Sequence, residues 1–166
     1  MVLTRVFEEQ RAFSLQAFEG QTPLGVFRHL EKEIDELLAD PQDLNEWADC
    51  FILSMDGVMR SKPTVASPEW CALRTQEAIR EKSKLVTRIR DIDAFKRHVN
   101  DVPTIDTDSP HMWTYLIAMI VNAASVAGIS AHTLLKAVND KIVINKSRKW
   151  GKVDPANPDQ PIHHIK

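Results

Sequence analysis

Glycine and cysteine are scarce in this sequence, and strand-like patterns are nearly absent from it. Five glycines occur in 166 residues, and apolar and polar residues almost never alternate along the chain. Because half-buried strands normally show that alternation, the sequence predicts an all-α fold. The two cysteines, Cys50 and Cys71, lack the spacing of a disulfide framework or a metal site, which is typical of proteins in a reducing cytoplasm.

The sequence also has little net charge and no long hydrophobic run. It carries 21 basic and 23 acidic residues, a net charge of −2, so bulk charge gives no argument for nucleic acid or an acidic membrane as a partner. The most apolar run, Trp113 to Ile129, is short for a bilayer and contains Asn122 and Ser125, which favours a buried or interface helix. Residues 1–5 are not followed by an apolar signal core. We therefore expect a cytoplasmic protein without a membrane span.

Two pairs of acidic residues, each spaced by three, are the most distinctive feature present. Glu33 and Glu36 form the first pair, and Glu46 and Asp49 form the second, with a break at Asp40-Pro41 between them. A step of three places both acids of a pair on one face of an α-helix. If the two helices pack antiparallel, four carboxylates converge. Two such charges about 4 Å apart repel by roughly 4 kcal/mol at an effective dielectric near 20, which favours a divalent ion such as Mg²⁺ among them.

Other interpretations of the same patterns remain open. Either acid pair taken singly is typical of the solvated face of an amphipathic helix. A di-iron bundle is disfavoured, because it needs Glu-x-x-His pairs and neither Glu33 nor Glu46 has a histidine three residues later. The stretch from Val126 to Ala137, followed by a basic helix, is compatible with a helix-turn-helix in a DNA-binding protein, although the acidic helices would then have no role.

The last predicted helix carries a polar face. Lys141, Asn145 and Arg148 are spaced by four and three residues, so they share one side of a helix. This face is either an exposed basic surface or a grip for phosphate groups, which Lys and Arg bind in different geometries. Trp150 is compatible with stacking on a base and equally with capping the core.

The chain resembles the MazG-like all-α nucleotide pyrophosphohydrolases, closest to the phage and bacterial dATP/dGTP pyrophosphohydrolase (MazZ-type) branch. The resemblance rests on a first run with Glu33 and Glu36, a second with Glu46, Asp49 and Asp56-Gly57, and a third that includes Lys141, Asn145-Lys146 and residues 148–152. One departure stands out, since Lys32 occupies the first position of the family's double Glu. In some phages, relatives of this kind support a modified-purine genome by hydrolysing the standard purine triphosphates.

The resemblance implies hydrolysis between the α and β phosphates of a nucleotide, giving a nucleoside monophosphate and pyrophosphate. It implies Mg²⁺, or Mn²⁺, held by the four acids, and either Glu33 or Glu36 as the general base. The implied substrate-binding residues are Lys141, Asn145 and Arg148 at the phosphates and Phe18, Phe13 and Trp150 near the purine. We expect a purine deoxynucleoside triphosphate as the substrate and a homo-oligomer, dimer or tetramer. Nothing in the spacing distinguishes dATP from dGTP, and dUTP, dCTP or a modified nucleotide are alternative substrates.

The predicted organisation is one domain interrupted by a helical insertion. Compared with its relatives, the chain has a core of about 1–60 and 127–151, an insertion of about 61–126 and an extended tail of 152–166. Predicted helices cover residues 2–18, 23–39, 41–60, 68–102, 111–127 and 131–149. The sequence predicts N-caps at Thr22, Asp40 and Ser130, with Pro23 and Pro41 first in their helices. The basic stretch within residues 82–97 is interpreted as a solvated or oligomer-forming arm, in preference to a nucleic-acid surface. His163 and His164 are interpreted as tail residues and not as ligands.

Overall fold

A computed structural model describes residues 3–85, 92–101 and 106–165 of the chain. The described residues are predominantly helical, which confirms the predicted all-α fold. In chain order the elements are α1 (Leu3–Ala17), α2 (Pro23–Ala39), α3 (Leu44–Ser61), α4 (Pro68–Leu85), α5 (Ile92–Asp101), α6 (Pro110–Val126), α7 (Ala131–Ser147), β1 (Lys149–Trp150) and β2 (His164–Ile165). The two short strands pair antiparallel, with Trp150 opposite His164.

Helix starts follow the capping residues that the sequence offers. Thr22 caps α2, and its Oγ1 accepts a hydrogen bond from the Gly25 N–H at 3.0 Å, with Pro23 in the first turn as predicted. Ser130 caps α7 in the same way, accepting from the Thr133 N–H at 3.1 Å. These short-range hydrogen bonds satisfy backbone donors that would otherwise lack partners at each helix start.

The predicted start of the third helix, with Asp40 as cap and Pro41 first in the helix, is wrong. Asp40 instead ends α2, and its N–H donates to the Glu36 carbonyl at 3.2 Å. The Pro41 carbonyl accepts from the Trp47 indole N–H at 3.0 Å. Asp43 is the true cap of α3, since its side chain accepts from the Asn45 N–H at 2.8 Å.

The last predicted helix is also shorter than expected. It ends at Ser147, because Arg148 adopts φ −82° and ψ 155°, an extended conformation. The chain then forms β1, and the tail returns to pair with it as β2. The tail, predicted to be extended, instead forms turns at residues 154–157 and 157–160 before it ends in the short strand that pairs with β1.

Helix α3 lies at the centre of the core, between α2, α6 and α7. Trp47, Phe51 and Met55 on α3 have no exposed surface. At Gly57 an added Cβ would lie 2.1 Å from the Trp113 ring of α6, so glycine is needed for the two helices to approach this closely. The apolar helix α6 is thus a core helix of this chain.

Within the described ranges, no single helix is long and apolar enough to cross a membrane. Helices α6 and α7 pass such a test only as a pair, and they are bent by 117° at the break between them. Most of α6 is buried against the rest of the fold.

The predicted insertion of about 61–126 contains α4, α5 and α6, and residues 86–91 and 102–105 within it lie outside the described residues. The central part of the predicted basic arm and the link to α6 therefore cannot be compared with the prediction. Helix α5 is joined to α2 by an ion pair between Lys96 and Asp35. The division into core and insertion stays a prediction.

Candidate active site

A cavity of about 430 Å³ lies between α1, α2, α3, α7 and the C-terminal tail. All ten residues that the sequence singled out as site residues line it: Phe13, Phe18, Glu33, Glu36, Glu46, Asp49, Lys141, Asn145, Arg148 and Trp150. Carboxylates of α2 and α3 come together in one part of its wall, which we call the acidic end, and the rings of Phe13, Phe18 and Trp150 contact one another in another part, which we call the aromatic end. The fold therefore brings residues from both halves of the chain to one place.

Three carboxylates meet at the acidic end. Glu33 comes from α2, and Glu46 and Asp49 come from the first turns of α3. One carboxylate oxygen from each residue lies within 4.8 Å of the other two. Oxygen ligands in such a group suit a hard divalent cation.

The pKa shift differs among the three carboxylates of this group. Burial, followed by the charges of Glu33 and Asp49, raises the pKa of Glu46 to about 7. Burial also acts to raise the pKa of Glu33, but the hydrogen bond and charge of His29 lower it more, so that the pKa of Glu33 lies below its ordinary value. Burial raises the pKa of Asp49 even though Lys141 opposes the shift. Glu46 is therefore the carboxylate whose charge is least compensated by other side chains.

One carboxylate oxygen of Glu46 indicates that the group of three needs a cation or a proton donor as a partner. Its Oε2 is buried and, among the described residues, has no hydrogen-bond partner. A buried oxygen of this kind is costly unless a cation or a proton donor contacts it. The donor set and this unpartnered oxygen fit a divalent metal ion.

The predicted convergence of four carboxylates is only partly observed. Glu36 lines the same cavity but lies outside the group of three, and its Oε1 pairs with the Lys32 ammonium at 3.2 Å. Its side chain is 47% exposed, whereas that of Glu33 is 11% exposed. The residue that departs from the family motif, Lys32, is thus the partner of Glu36 at the exposed rim of the site.

Two polar residues of α7, Lys141 and Asn145, face the cavity and not the solvent. Lys141 and Asn145 are 8% and 6% exposed, so the interpretation of these two residues as an exposed basic face is wrong. The Lys141 ammonium lies 2.7 Å from Asp49 Oδ2. Arg148, although beyond the helix end, lies against Asn145, with 3.5 Å between Nη1 and Oδ1. Positive charge therefore stands directly beside the carboxylates.

Three aromatic rings that line the cavity contact one another. Phe18 makes an edge-to-face contact with Trp150, with 5.0 Å between ring centroids, and a second such contact with Phe13 at 5.6 Å. The indole N–H of Trp150 donates to the Asn145 carbonyl at 2.9 Å, which fixes the ring against the end of α7. All three rings are partly exposed, so they offer apolar surface to a bound group.

The cavity residues that were not predicted from the sequence as site residues include His29, Gln10, Asp56 and His163. His29 lies four residues before Glu33 and donates from Nε2 to its Oε1 at 2.9 Å, a spacing that the sequence could have revealed. Gln10 and Asp56 form a buried pair, with 2.9 Å between Nε2 and Oδ1. Burial raises the pKa of Asp56 against the opposing charge of Arg60. The fourth, His163, comes from the tail.

One comparison with known proteins gave a match. A family model described as dATP/dGTP pyrophosphohydrolase matches residues 6–82 and 86–166 of the chain. No curated protein and no solved structure is significantly similar to it. The matched residues include every residue of the cavity named above.

Proposed function

The chain belongs to the dATP/dGTP pyrophosphohydrolase family, and we propose that it hydrolyses purine deoxynucleoside triphosphates to the monophosphate and pyrophosphate. The observation that carries the proposal is the group of Glu33, Glu46 and Asp49 beside Lys141, in the same cavity as Phe18 and Trp150. Such a site offers oxygen ligands for a cation, positive charge for phosphates and rings for a base.

The proposed metal is Mg²⁺, with Mn²⁺ as a substitute, held by Glu33, Glu46 and Asp49. When bound, it supplies polarisation of the phosphate groups and a lowered pKa for a coordinated water. His29 holds Glu33 by a hydrogen bond, and Lys141 does the same for Asp49. These two partners orient the carboxylates and lower the cost of bringing them together.

Hydrolysis requires a new bond from the water oxygen to the α-phosphorus and cleavage of the bond from that phosphorus to the oxygen that bridges it to the β-phosphorus. The water's proton goes to a carboxylate, and pyrophosphate leaves with the bridging oxygen. We assign the proton acceptor to Glu36, because its half-exposed side chain is not packed into the group of three. Glu33 is the second candidate for this role.

Charge on the leaving pyrophosphate needs compensation beyond a metal ion. Lys141 and Arg148 carry positive charge along the wall of the cavity, and Asn145 adds an amide donor between them. Phe18 and Trp150 provide the apolar surface against which a purine stacks. We therefore assign phosphate binding to Lys141, Asn145 and Arg148, and base binding to the aromatic end.

Three further assignments belong to this proposal. We propose a homo-oligomer, a dimer or tetramer, since α7 exposes the apolar side chains of Val143 and Ile144, which are 59% and 43% exposed. Light scattering coupled to size exclusion measures this directly. We also propose that the protein works in the cytoplasm, or in the host cytoplasm if it is encoded by a phage. Nucleic acid is not among the proposed partners.

A panel of nucleotides tests the proposed function. Pyrophosphate release would be measured with dATP, dGTP, dCTP, dUTP, ATP and GTP, each with Mg²⁺ and with Mn²⁺. We expect dATP or dGTP to give the highest kcat/KM and a chelator to abolish the reaction. In water enriched in ¹⁸O, the label should appear in the monophosphate, because the water attacks the α-phosphorus. Label in the pyrophosphate, or orthophosphate as a product, would contradict the proposed reaction.

The panel also separates the alternatives. A higher rate with dUTP or dCTP would keep the reaction and change the substrate. No turnover with any nucleotide, together with a salt-sensitive gel shift of DNA, would favour the DNA-binding interpretation of residues 126–137.

A further inference from the structure

The C-terminal tail returns to the cavity and forms part of its wall. Ile162 is 6% exposed, and the Gly151 N–H donates to the His163 carbonyl at 3.0 Å. Strand β2 pairs with β1, which places His164 opposite Trp150. The tail is thus held in a defined position beside the aromatic end of the site.

A second contact holds the tail at the start of α2. The Thr22 hydroxyl donates to Asp159 Oδ1 while it accepts from the Gly25 N–H. A Cβ added at Gly25 would lie 3.1 Å from the Pro158 carbonyl oxygen and 3.2 Å from the Asp159 Cα, so glycine permits this close approach. The tail is therefore anchored on both sides of residues 162–164.

The two histidines of this anchored segment, His163 and His164, have different neighbours in the cavity wall. The His163 ring lies 6.0 Å from the ring of His29, which bonds to Glu33 at the acidic end. The His164 ring lies 5.9 Å from the Trp150 ring, at the aromatic end. Both histidines line the cavity, and the side chains of both are exposed.

We propose that His163 and His164 are substrate-binding residues, with His163 contacting the phosphate chain and His164 contacting the base. An imidazole N–H is a donor for a phosphate oxygen, and the ring of His164 extends the aromatic surface of Phe18 and Trp150. This inference rests on the proposed function, since it assumes that a nucleotide occupies the cavity. It replaces the interpretation of the two histidines as tail residues without a role.

Kinetics of single variants give the first test. For whichever of dATP and dGTP the wild type prefers, His163→Ala and His164→Ala should each raise KM by about 5- to 30-fold and leave kcat within about twofold, because binding is lost without loss of transition-state contacts. The matched control is His132→Ala, at an exposed position at the start of α7, which should leave both constants unchanged. Circular dichroism and thermal unfolding check that the variants keep their fold.

A protection experiment tests the same contacts in the wild-type protein. Histidines would be modified with diethyl pyrocarbonate in the presence of Mg²⁺, with and without the α,β-imido analogue of the preferred nucleotide, and located by mass spectrometry. The analogue should slow modification of His163 and His164 at least about fivefold and leave His132, as internal control, unaffected. Unchanged KM in both variants, or equal modification rates despite bound analogue, would overturn this inference and leave the proposed function intact. A wild type that neither binds nor hydrolyses any nucleotide would overturn both.

Discussion

The two ends of helix α3 show how this protein combines stability with a reactive site. Near its C-terminal end, Gly57 packs tightly against the Trp113 ring of α6. In its first turns, Glu46 and Asp49 lie beside α2, where their like charges repel each other and their burial removes water. The packed end stabilises the helix in place, and the charged end uses that rigidity to hold carboxylates close together. A stable core is what makes an unfavourable arrangement of charges possible at the site.

The largest effect is expected where the charged end of α3 is neutralised. Glu46→Gln or Asp49→Asn should reduce turnover at least about 1,000-fold, because each removes a ligand charge while keeping the side-chain shape. Helix content measured by circular dichroism should not change. Glu31→Gln, at an exposed position of α2, is the matched control and should keep wild-type rates. Near-wild-type turnover in either site variant would contradict the metal assignment.

Substitution at the packed end of α3 should lower stability and should not primarily affect the reaction. Gly57→Ala forces a Cβ into the Trp113 ring, so the free energy of unfolding should fall by about 3 kcal/mol or more. Urea or guanidinium titration measures the change. Because the two side chains share one space, the double variant with Trp113→Leu should lose less than the sum of the two single losses. Additive losses would mean that the helices separate without this clash.

A smaller effect is expected at His29, which contacts one of the carboxylates but is not itself a proposed metal ligand. His29→Asn removes the hydrogen bond at 2.9 Å that holds Glu33. The dissociation constant for Mn²⁺, measured by electron paramagnetic resonance without nucleotide, should rise about 10- to 100-fold. His132→Asn serves as the control and should bind Mn²⁺ as the wild type does. Wild-type affinity in His29→Asn would show that Glu33 is positioned by its helix without this partner.

The smallest effect concerns pH. Burial raises the pKa of Glu46 from 4.5 to about 7, so the folded protein binds a proton there that the unfolded chain has released. Without metal, stability should therefore fall as pH rises from about 4.5 to about 7 and level off above that value. Thermal unfolding across this range measures the decline, and Glu46→Gln should flatten it relative to the wild type.

Metal ions should reverse that trend. A cation competes with the proton on Glu46, so its affinity should rise with pH up to about 7, by as much as roughly tenfold per unit for one displaced proton. At 100 times its dissociation constant, Mg²⁺ should stabilise the fold by about 2.7 kcal/mol. An affinity independent of pH would mean that Glu46 is not a ligand.

Local features of the fold were predictable. Thr22-Pro23 and Ser130 mark the starts of α2 and α7 because a capping hydroxyl acts within three residues of itself. The family was also predictable, from the acid pairs and the C-terminal run, and the matched family model confirms it. The start of α3 was missed because Asp40 and Asp43 are both good caps, and the contact of Trp47 with Pro41 favours the second.

The residues that form the site could be predicted by the same reasoning, but the contacts among them could not. Spacing of three predicted that Glu46 and Asp49 share a helix face, and it predicted the same for Glu33 and Glu36. It did not reveal that Glu36 lies at the exposed rim, paired with Lys32, since a position inside the group of carboxylates is equally compatible with one helix. Gln10 and Asp56 belong to different helices, so no local pattern could have paired them.

The sequence by itself determined the helices, their capping residues and the chemical types available to the site, because these depend on neighbours within one or two turns. Tertiary structure decided which of these side chains meet: the three carboxylates, the burial of Lys141 against Asp49, and the return of His163 and His164 to the cavity. The physical reason is that such contacts join residues far apart in the chain. Their distances follow from how α2, α3, α7 and the tail pack around a common core, and local propensity carries no record of that packing.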